Sequence, residues 1–533
     1  MVFQFFLSIA LFFYFLGFGF LFQKIFSRIN STISFTVING MIGVGLISFF
    51  VAFFLPLNFT YEVVLILIAI LSLIYHRNEV KRSLLKLKNI SRYFYAFTFV
   101  GLLVAVTYPF ILDHFGYYIP TIKWLDFAGF VKGLSNFEWV LAQNSFWHIL
   151  QASINETLDI YYRLNFCLFL IFNLYVFELK QKKLLIFNLL FIFFLNTPSP
   201  DLPVFVLTIL LINEYLRYKN KASDYLFYAA ILFVIKPISI VLILFFGIEY
   251  LRNKEYKNLK DKNLFLLIFI ALLFCCKGII VSANPLFPLE FSSIKGLEWA
   301  SPQHLYELSA QNGKFIPLKD SFTFEEVARM NTTEYFQAIF FQSSSRTIIF
   351  LLIICLTIFN LLIGFYKKNY FIKSLIFCCI VKLLIILIFS NQFRFLLDVL
   401  IIDLLIIFKL VNLKIFNKYS ELLSLIFVYI TSFILIFSIF KGDYFKNIKS
   451  FSYIRSINFD QILIPGNYKE NELNINNLNI SKTKLEKFLQ YQIYLQQIDS
   501  TDVKKGFYFE KMDRKKREKI LNILKEEQKK QVK

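Results

Sequence analysis

Charge is what this chain is short of. Asp, Glu, Lys and Arg make up 17% of its 533 residues, against about a quarter in a soluble domain. With 57% hydrophobic residues and a mean hydropathy of +0.60, a water-soluble globule is excluded. The apolar runs also lack the alternation of a barrel strand. Many reach the roughly 20 residues that an α-helix needs to cross a bilayer. The expected fold class is therefore all-α, a polytopic transmembrane helical bundle.

Other absences narrow the chemistry. Cys167, Cys275, Cys276, Cys355, Cys378 and Cys379 all lie inside apolar runs, and no pair has metal-ligand spacing with a nearby His, so they read as packing residues. The N-terminal run has neither a basic flank nor a small-residue cleavage site and reads as a first transmembrane helix. There is no Gly-x-x-x-x-Gly-Lys-Ser/Thr loop, no His-Glu-x-x-His and no Gly-x-Ser-x-Gly. Asp-x-Asp is missing too, which argues against a nucleotide-sugar site built on a divalent ion. A lipid-bound donor fits better. No metal site or cofactor is expected from the residues, although a divalent metal stays open.

What charge there is has an order. The formal net charge is +21, but Lys and Arg cluster in short connectors between apolar runs, as positive-inside topology requires, so nucleic acid is not the expected partner. Placing the basic connector from Arg77 to Arg92 in the cytoplasm sends the next run, about 93–112, outward and delivers Asp113 to the outer face. Residues 113–161 then form a first outer loop and 282–345 a second, the latter with Trp299 and His304. Thr197-Pro-Ser-Pro-Asp201-Leu-Pro203 reads as a tight outer turn, with Asp201 opening the following helix as a cap.

Basic stretches flank residues 225–250 on both sides. Two half-helices meeting near Lys236 and Pro237 reconcile that with the length; a single crossing is the alternative. Run by run, the count comes to about fourteen crossings. Three parts follow: N-terminal transmembrane helices over 1–92, a transmembrane module over 93–440 and a small soluble C-terminal tail over 441–533, with a turn at Pro465-Gly466 and a charged helical pattern from Phe509.

This topology, drawn from Lys and Arg alone, brings Asp113, Asp201, Lys236 and Arg394 to one outer edge. Ionisable residues are costly near hydrocarbon and tend to line sites or pathways. Asp113 is either a reactive carboxylate or a helix end at headgroup level. Asp201 is a cap or a ligand; Lys236 snorkels or binds phosphate; Arg394, between Phe393 and Phe395, anchors or binds. Tyr117, Tyr118, Trp124, Trp139 and Trp147 suit a membrane interface, and equally suit stacking on sugar faces. Lys123, Asp126, Asn136, Glu138, Asn144 and His148 are placed to fix hydroxyls, or else lie on a loop surface.

The run Asp113-His-Phe-Gly-Tyr-Tyr118, Pro120-Thr-Ile-Lys-Trp124, Gly133-Leu-Ser-Asn136 and Asn144-Ser145, with Ser199 and Asp201-Leu-Pro203, resembles a group of bacterial polytopic membrane proteins. These are similar in layout to GT-C glycosyltransferases, which use polyprenyl-phosphate sugars. The likeness spans roughly residues 90–400. Tyr118 and Glu138 stand where the group has His, and three helices precede the key loop instead of one.

The resemblance implies a GT-C-like fold in a bacterial inner (plasma) membrane and a sugar transfer with Asp113 as general base. Tyr117, Tyr118, Lys123, Asn136, Glu138, Asn144, Asp201, Lys236 and Arg394 become candidate substrate-binding residues, with Lys236 or Arg394 on the donor phosphate. Its implied partners are a polyprenyl-phosphate-linked sugar, a glycan or lipid acceptor, and membrane lipids. A polysaccharide polymerase or ligase is the competing enzyme reading, and a lipid-linked oligosaccharide flippase the competing transporter.

Overall fold

The computed structural model describes residues 1–441 apart from 24, 27–28, 88–89, 108, 110, 112, 219–220, 258–261, 320, 342–344, 391 and 411–413, together with 463–465, 472–475 and 478–481. The helical pattern expected from Phe509 lies outside these residues, as do Gly466 and Asn391. The chain is a helical membrane protein. Among the described residues, five helices are long and apolar enough to cross a membrane: Val2–Phe22, Ile33–Val51, Lys262–Ser282, Thr347–Tyr366 and Tyr370–Phe389. A sixth arises if Phe59–Tyr75 and Arg77–Leu87, bent by 83°, count as one span. The tail contributes a two-stranded antiparallel hairpin, Glu472–Ile475 with Leu478–Ser481.

The chain divides into two compact units. The first comprises Met1–Leu202, Ile280–Ser282 and Lys414–Lys533. Its first two helices approach closely because Gly19 and Gly40 carry no side chain: a Cβ on either would overlap the other helix's backbone, at the carbonyls of Thr36 and Phe15. The basic connector folds as the polar helix Arg77–Leu87, which buries no residue.

Three boundaries in this unit differ from the hydropathy reading. The run expected to continue to about residue 112 stops at Ala105. Pro109 lies just ahead and disfavours helix in the residue before it. The run 184–196 is not one helix but three short pieces, Lys182–Phe187, Asn188–Phe191 and Ile192–Phe194. The third difference is the largest. Residues 113–161 do not drape over a surface as a loop; they fold into a π-helical turn, His114–Tyr118, then Ile119–Ala128, Leu134–Phe137, Trp139–Gln143 and Phe146–Ala152. The last of these packs on Ile33–Val51.

Polar clamps hold that segment. The Glu62 carboxylate, buried in the first turn of Phe59–Tyr75, accepts the N–H groups of Glu156, Thr157 and Leu158 at 2.8–3.1 Å. Arg163 donates to the carbonyls of Ala105 (2.6 Å), Tyr161 (2.6 Å) and Thr107 (3.1 Å). It thereby satisfies carbonyls at the end of Arg92–Ala105 that the helix itself leaves open.

The second unit comprises Pro203–Ile279 and Ala283–Leu413. Here the break near Lys236 and Pro237 is real: Ala222–Ile235 ends, Val241–Arg252 begins, and the two pack side by side. Their feet meet, since the Glu255 carboxylate accepts the N–H groups of Ala222 (2.8 Å) and Ser223 (2.9 Å). Both basic flanks therefore lie at one end of the hairpin, the arrangement their charge demands. The segment after Ala283 is also helical, Gln303–Leu318, Phe324–Arg329 and Thr332–Phe341, around a small core of Leu318, Val327, Tyr335, Ala338 and Ile339.

Candidate functional site

The site of greatest chemical interest forms in the first unit, where the start of the 113–161 segment meets the proline turn. Asp113 is half-buried and begins the π-helical turn His114–Tyr118, a geometry that recurs at functional positions. That turn carries Tyr117 and Tyr118, whose rings stand 5.1 and 4.9 Å from the His148 ring.

His148 is fully buried, and the polar groups that face its ring are the Pro198 carbonyl and the Asp113 carboxylate. The Pro198 carbonyl and the Asp113 carboxylate lie near enough to favour a ring proton. Burial outweighs both and pushes the imidazole down to about 3. At neutral pH it is therefore uncharged, with one N–H to donate and one lone pair to accept.

The proline turn closes the other side. His114 Nδ1 lies 3.0 Å from Thr197 Oγ1, and burial holds this imidazole well below its usual range. The Tyr118 hydroxyl donates to Ser199 Oγ (3.4 Å), and Ser199 donates to Asp201 Oδ2 (3.1 Å). Asp201 opens its helix as expected, although the capping contact there is Ser199 Oγ accepting the Asp201 N–H (3.3 Å). Asn165 fixes the turn by donating to the carbonyls of Phe194 (2.9 Å) and Ser199 (3.0 Å), and its own amide oxygen accepts from Trp147 Nε1 (2.8 Å).

Of the residues singled out in the sequence, Asp113, Tyr117, Tyr118 and Asp201 thus belong to one cluster together with His148. Lys123 lies elsewhere, 3.8 Å from Glu156. Glu156 also bonds Asp126, whose carboxyl burial pushes up to about 7. Asn136 is buried in Leu134–Phe137, Glu138 follows it, and Asn144 sits left-handed (φ 33°) at the end of Trp139–Gln143. The loop-surface reading of Asn136, Glu138, Asn144 and His148 is overturned: all are buried, because the segment folds inward instead of lying in water. The interface reading fails likewise for Tyr118, Trp124 and Trp147, which are core residues.

In the second unit, Lys236 and Arg394 come together over one ring, Phe395, with Lys236 Nζ 4.5 Å and Arg394 Cζ 5.4 Å from its centroid. Arg394 Nε also donates to Gln392 Oε1 (3.1 Å), which orients the guanidinium.

Sequence reading missed the roles of His114, Asn165 and Ser199. Ser199 and His114 had a signal, being neighbours in sequence of Asp201 and Asp113. Asn165 had none, since a single Asn at the start of an apolar run does not disclose what it will bond.

A buried imidazole costs more to desolvate than an apolar ring of similar size. His148→Phe keeps the ring contacts and removes the ring nitrogens, so it should leave stability unchanged or raise it by up to about 1 kcal/mol. Thermal unfolding of the purified protein in detergent measures this. A clear loss of stability would show that the ring nitrogens make hydrogen bonds that hold the fold.

No curated protein and no solved structure matches this chain. A family model does match residues 1–401, covering the site and both members of the cation pair, and the chain belongs to that family, described as Domain of unknown function (DUF8201).

Proposed function

We propose that the protein is a membrane glycosyltransferase of GT-C-like layout. It moves a sugar from a polyprenyl-phosphate donor to a glycan or lipid acceptor on the outer face of a bacterial plasma membrane, in cell-surface polysaccharide assembly. The observation that carries this reading is the half-buried Asp113 carboxylate beside a buried neutral imidazole, walled by Tyr117 and Tyr118.

In the proposed step an acceptor hydroxyl oxygen bonds to the anomeric carbon, the bond from that carbon to the donor phosphate breaks, and the hydroxyl proton passes to Asp113. Tyr117, half-buried like Asp113, offers its ring to the sugar, and the buried His148 and Tyr118 pack behind it and hold the carboxylate in place. The leaving group is polyprenyl phosphate. Lys236 and Arg394 supply the kind of positive charge that stabilises such an oxyanion. The topology of about fourteen crossings belongs to the same proposal.

A second reading, a lipid-linked oligosaccharide transporter, has one observation in its favour. Lys382 and Asp398 form a buried ion pair at 2.6 Å between Tyr370–Phe389 and Leu397–Leu410. Asp403, on the latter helix, accepts from Thr357 and Asn360 at 2.7 Å each. Charges inside a membrane bundle often mark transport pathways. These are paired and bonded, which also suits a bundle lock.

Reconstitution separates the readings. Proteoliposomes given a polyprenyl-phosphate sugar labelled in the sugar should transfer label to an acceptor glycan, and should not do so from a nucleotide sugar. Label that changes leaflet without changing its covalent partner would establish the transporter instead.

A further inference from the structure

The second unit holds a cavity of about 770 Å³ that the proposed chemistry does not use. Its rim is cationic: Arg252 ends Val241–Arg252, Lys367 and Lys368 form the turn between Ser345–Tyr366 and Tyr370–Phe389, and Lys409 lies in the last turn of Leu397–Leu410. Every one of these helix ends belongs to a connector that positive-inside topology assigns to the cytoplasm.

The charges on this rim do not cancel. Arg252 is balanced by Glu249, 3.2 Å away, and its guanidinium lies 3.9 Å from the centroid of the Tyr370 ring. Glu249 also accepts the Tyr215 hydroxyl at 2.8 Å, so its carboxylate is engaged from two sides. Lys367, Lys368 and Lys409 are exposed and have no ion pair among the described residues.

The turn that presents two of them is built firmly. Lys368 is left-handed (φ 49°), the Asn369 N–H donates to the Gly364 carbonyl (3.0 Å), and the Asn369 side chain accepts from the Ile372 N–H (3.3 Å). Three like charges held around one concavity repel each other unless an anion joins them. Phe371, Ile372, Ile406 and Leu410 give the cavity an apolar wall, and its polar lining also includes Asn253, Asn369 and the Glu249 carboxylate already engaged by Arg252 and Tyr215. A cationic rim over an apolar wall at a cytoplasmic helix end matches a phosphate carried on a lipid.

We propose that this cavity binds the phosphate of an anionic lipid head group from the cytoplasmic leaflet. The proposal stands apart from the glycosyltransferase reading, because its ligand and its residues are different and its test reads binding alone.

Full-length protein in neutral phosphatidylcholine nanodiscs is titrated with short-chain phosphatidylglycerol and read by native mass spectrometry. Saturable binding is expected. It should weaken about fivefold for each of Lys367→Gln, Lys368→Gln and Lys409→Gln, and roughly a hundredfold in the triple variant. The exposed Lys295→Gln, outside the cavity, serves as control and should bind like the parent.

A parallel titration with inorganic phosphate and glycerol phosphate distinguishes the source. Failure of both to compete supports the lipid. Competition at concentrations equal to those of the lipid overturns the lipid assignment in favour of a soluble phosphate on the same lysines. Equal affinity in the parent and the triple variant overturns the site.

Discussion

Arg163→Ala is expected to destabilise the protein by about 3–5 kcal/mol, the range seen when one partner of a buried charged network is removed. The side chain is fully buried and donates to the carbonyls of Ala105, Tyr161 and Thr107. Alanine would leave those oxygens without these donors in a region that water does not reach, and an orphaned buried acceptor costs more than the net value of the bond.

Asp159 aggravates the loss. Its carboxyl is already pushed up to about 7 by burial, with Arg163 among the groups opposing that shift. Without the guanidinium it is held neutral more strongly. Arg163→Lys restores the charge but not the planar fork, and should recover only part of the stability. Thermal unfolding in detergent, compared with the parent, reads both variants. A loss below about 1 kcal/mol for Arg163→Ala would show that the carbonyls find other donors.

The same residue shows where sequence reading ends. Hydropathy located the long apolar helices, because its signal is local and additive. The break at Lys236 and Pro237 was legible for a related reason: two basic flanks cannot lie on opposite sides of a membrane without cost, and the structure resolves the conflict with a hairpin whose feet share Glu255.

The fate of residues 113–161 was not legible. Polar residues between apolar runs read as solvated, whereas here the segment's backbone is tied inward by Glu62, which accepts the N–H groups of Glu156, Thr157 and Leu158, and by Arg163, which donates to the Tyr161 carbonyl. Asp113 was visible as a carboxylate at a helix end. Its neighbour His148 was visible only as one polar residue among several, because its burial against Tyr117, Tyr118 and Asp113 is a property of packing. The Arg163 clamp had no sequence signature: its partners are backbone carbonyls, which every residue has.

The other large effect concerns Asp113. If this carboxylate takes the acceptor proton, Asp113→Asn keeps the shape and removes the base, and transfer should fall by roughly 10²–10⁴-fold. Stability should change little, because Asp113 is half-buried and not fully enclosed. His148→Phe should also reduce transfer while keeping or raising stability, and the two variants together should lose less than the product of their separate losses, as expected of a buried ring that acts through the Asp113 carboxylate.

The most direct measurement is the first-order rate of sugar transfer from a saturating labelled polyprenyl-phosphate sugar in proteoliposomes, for the parent and Asp113→Asn, with donor binding measured on the same samples. The account predicts unchanged binding and a transfer rate lower by roughly 10²–10⁴-fold. Equal transfer rates in a folded Asp113→Asn protein would contradict it.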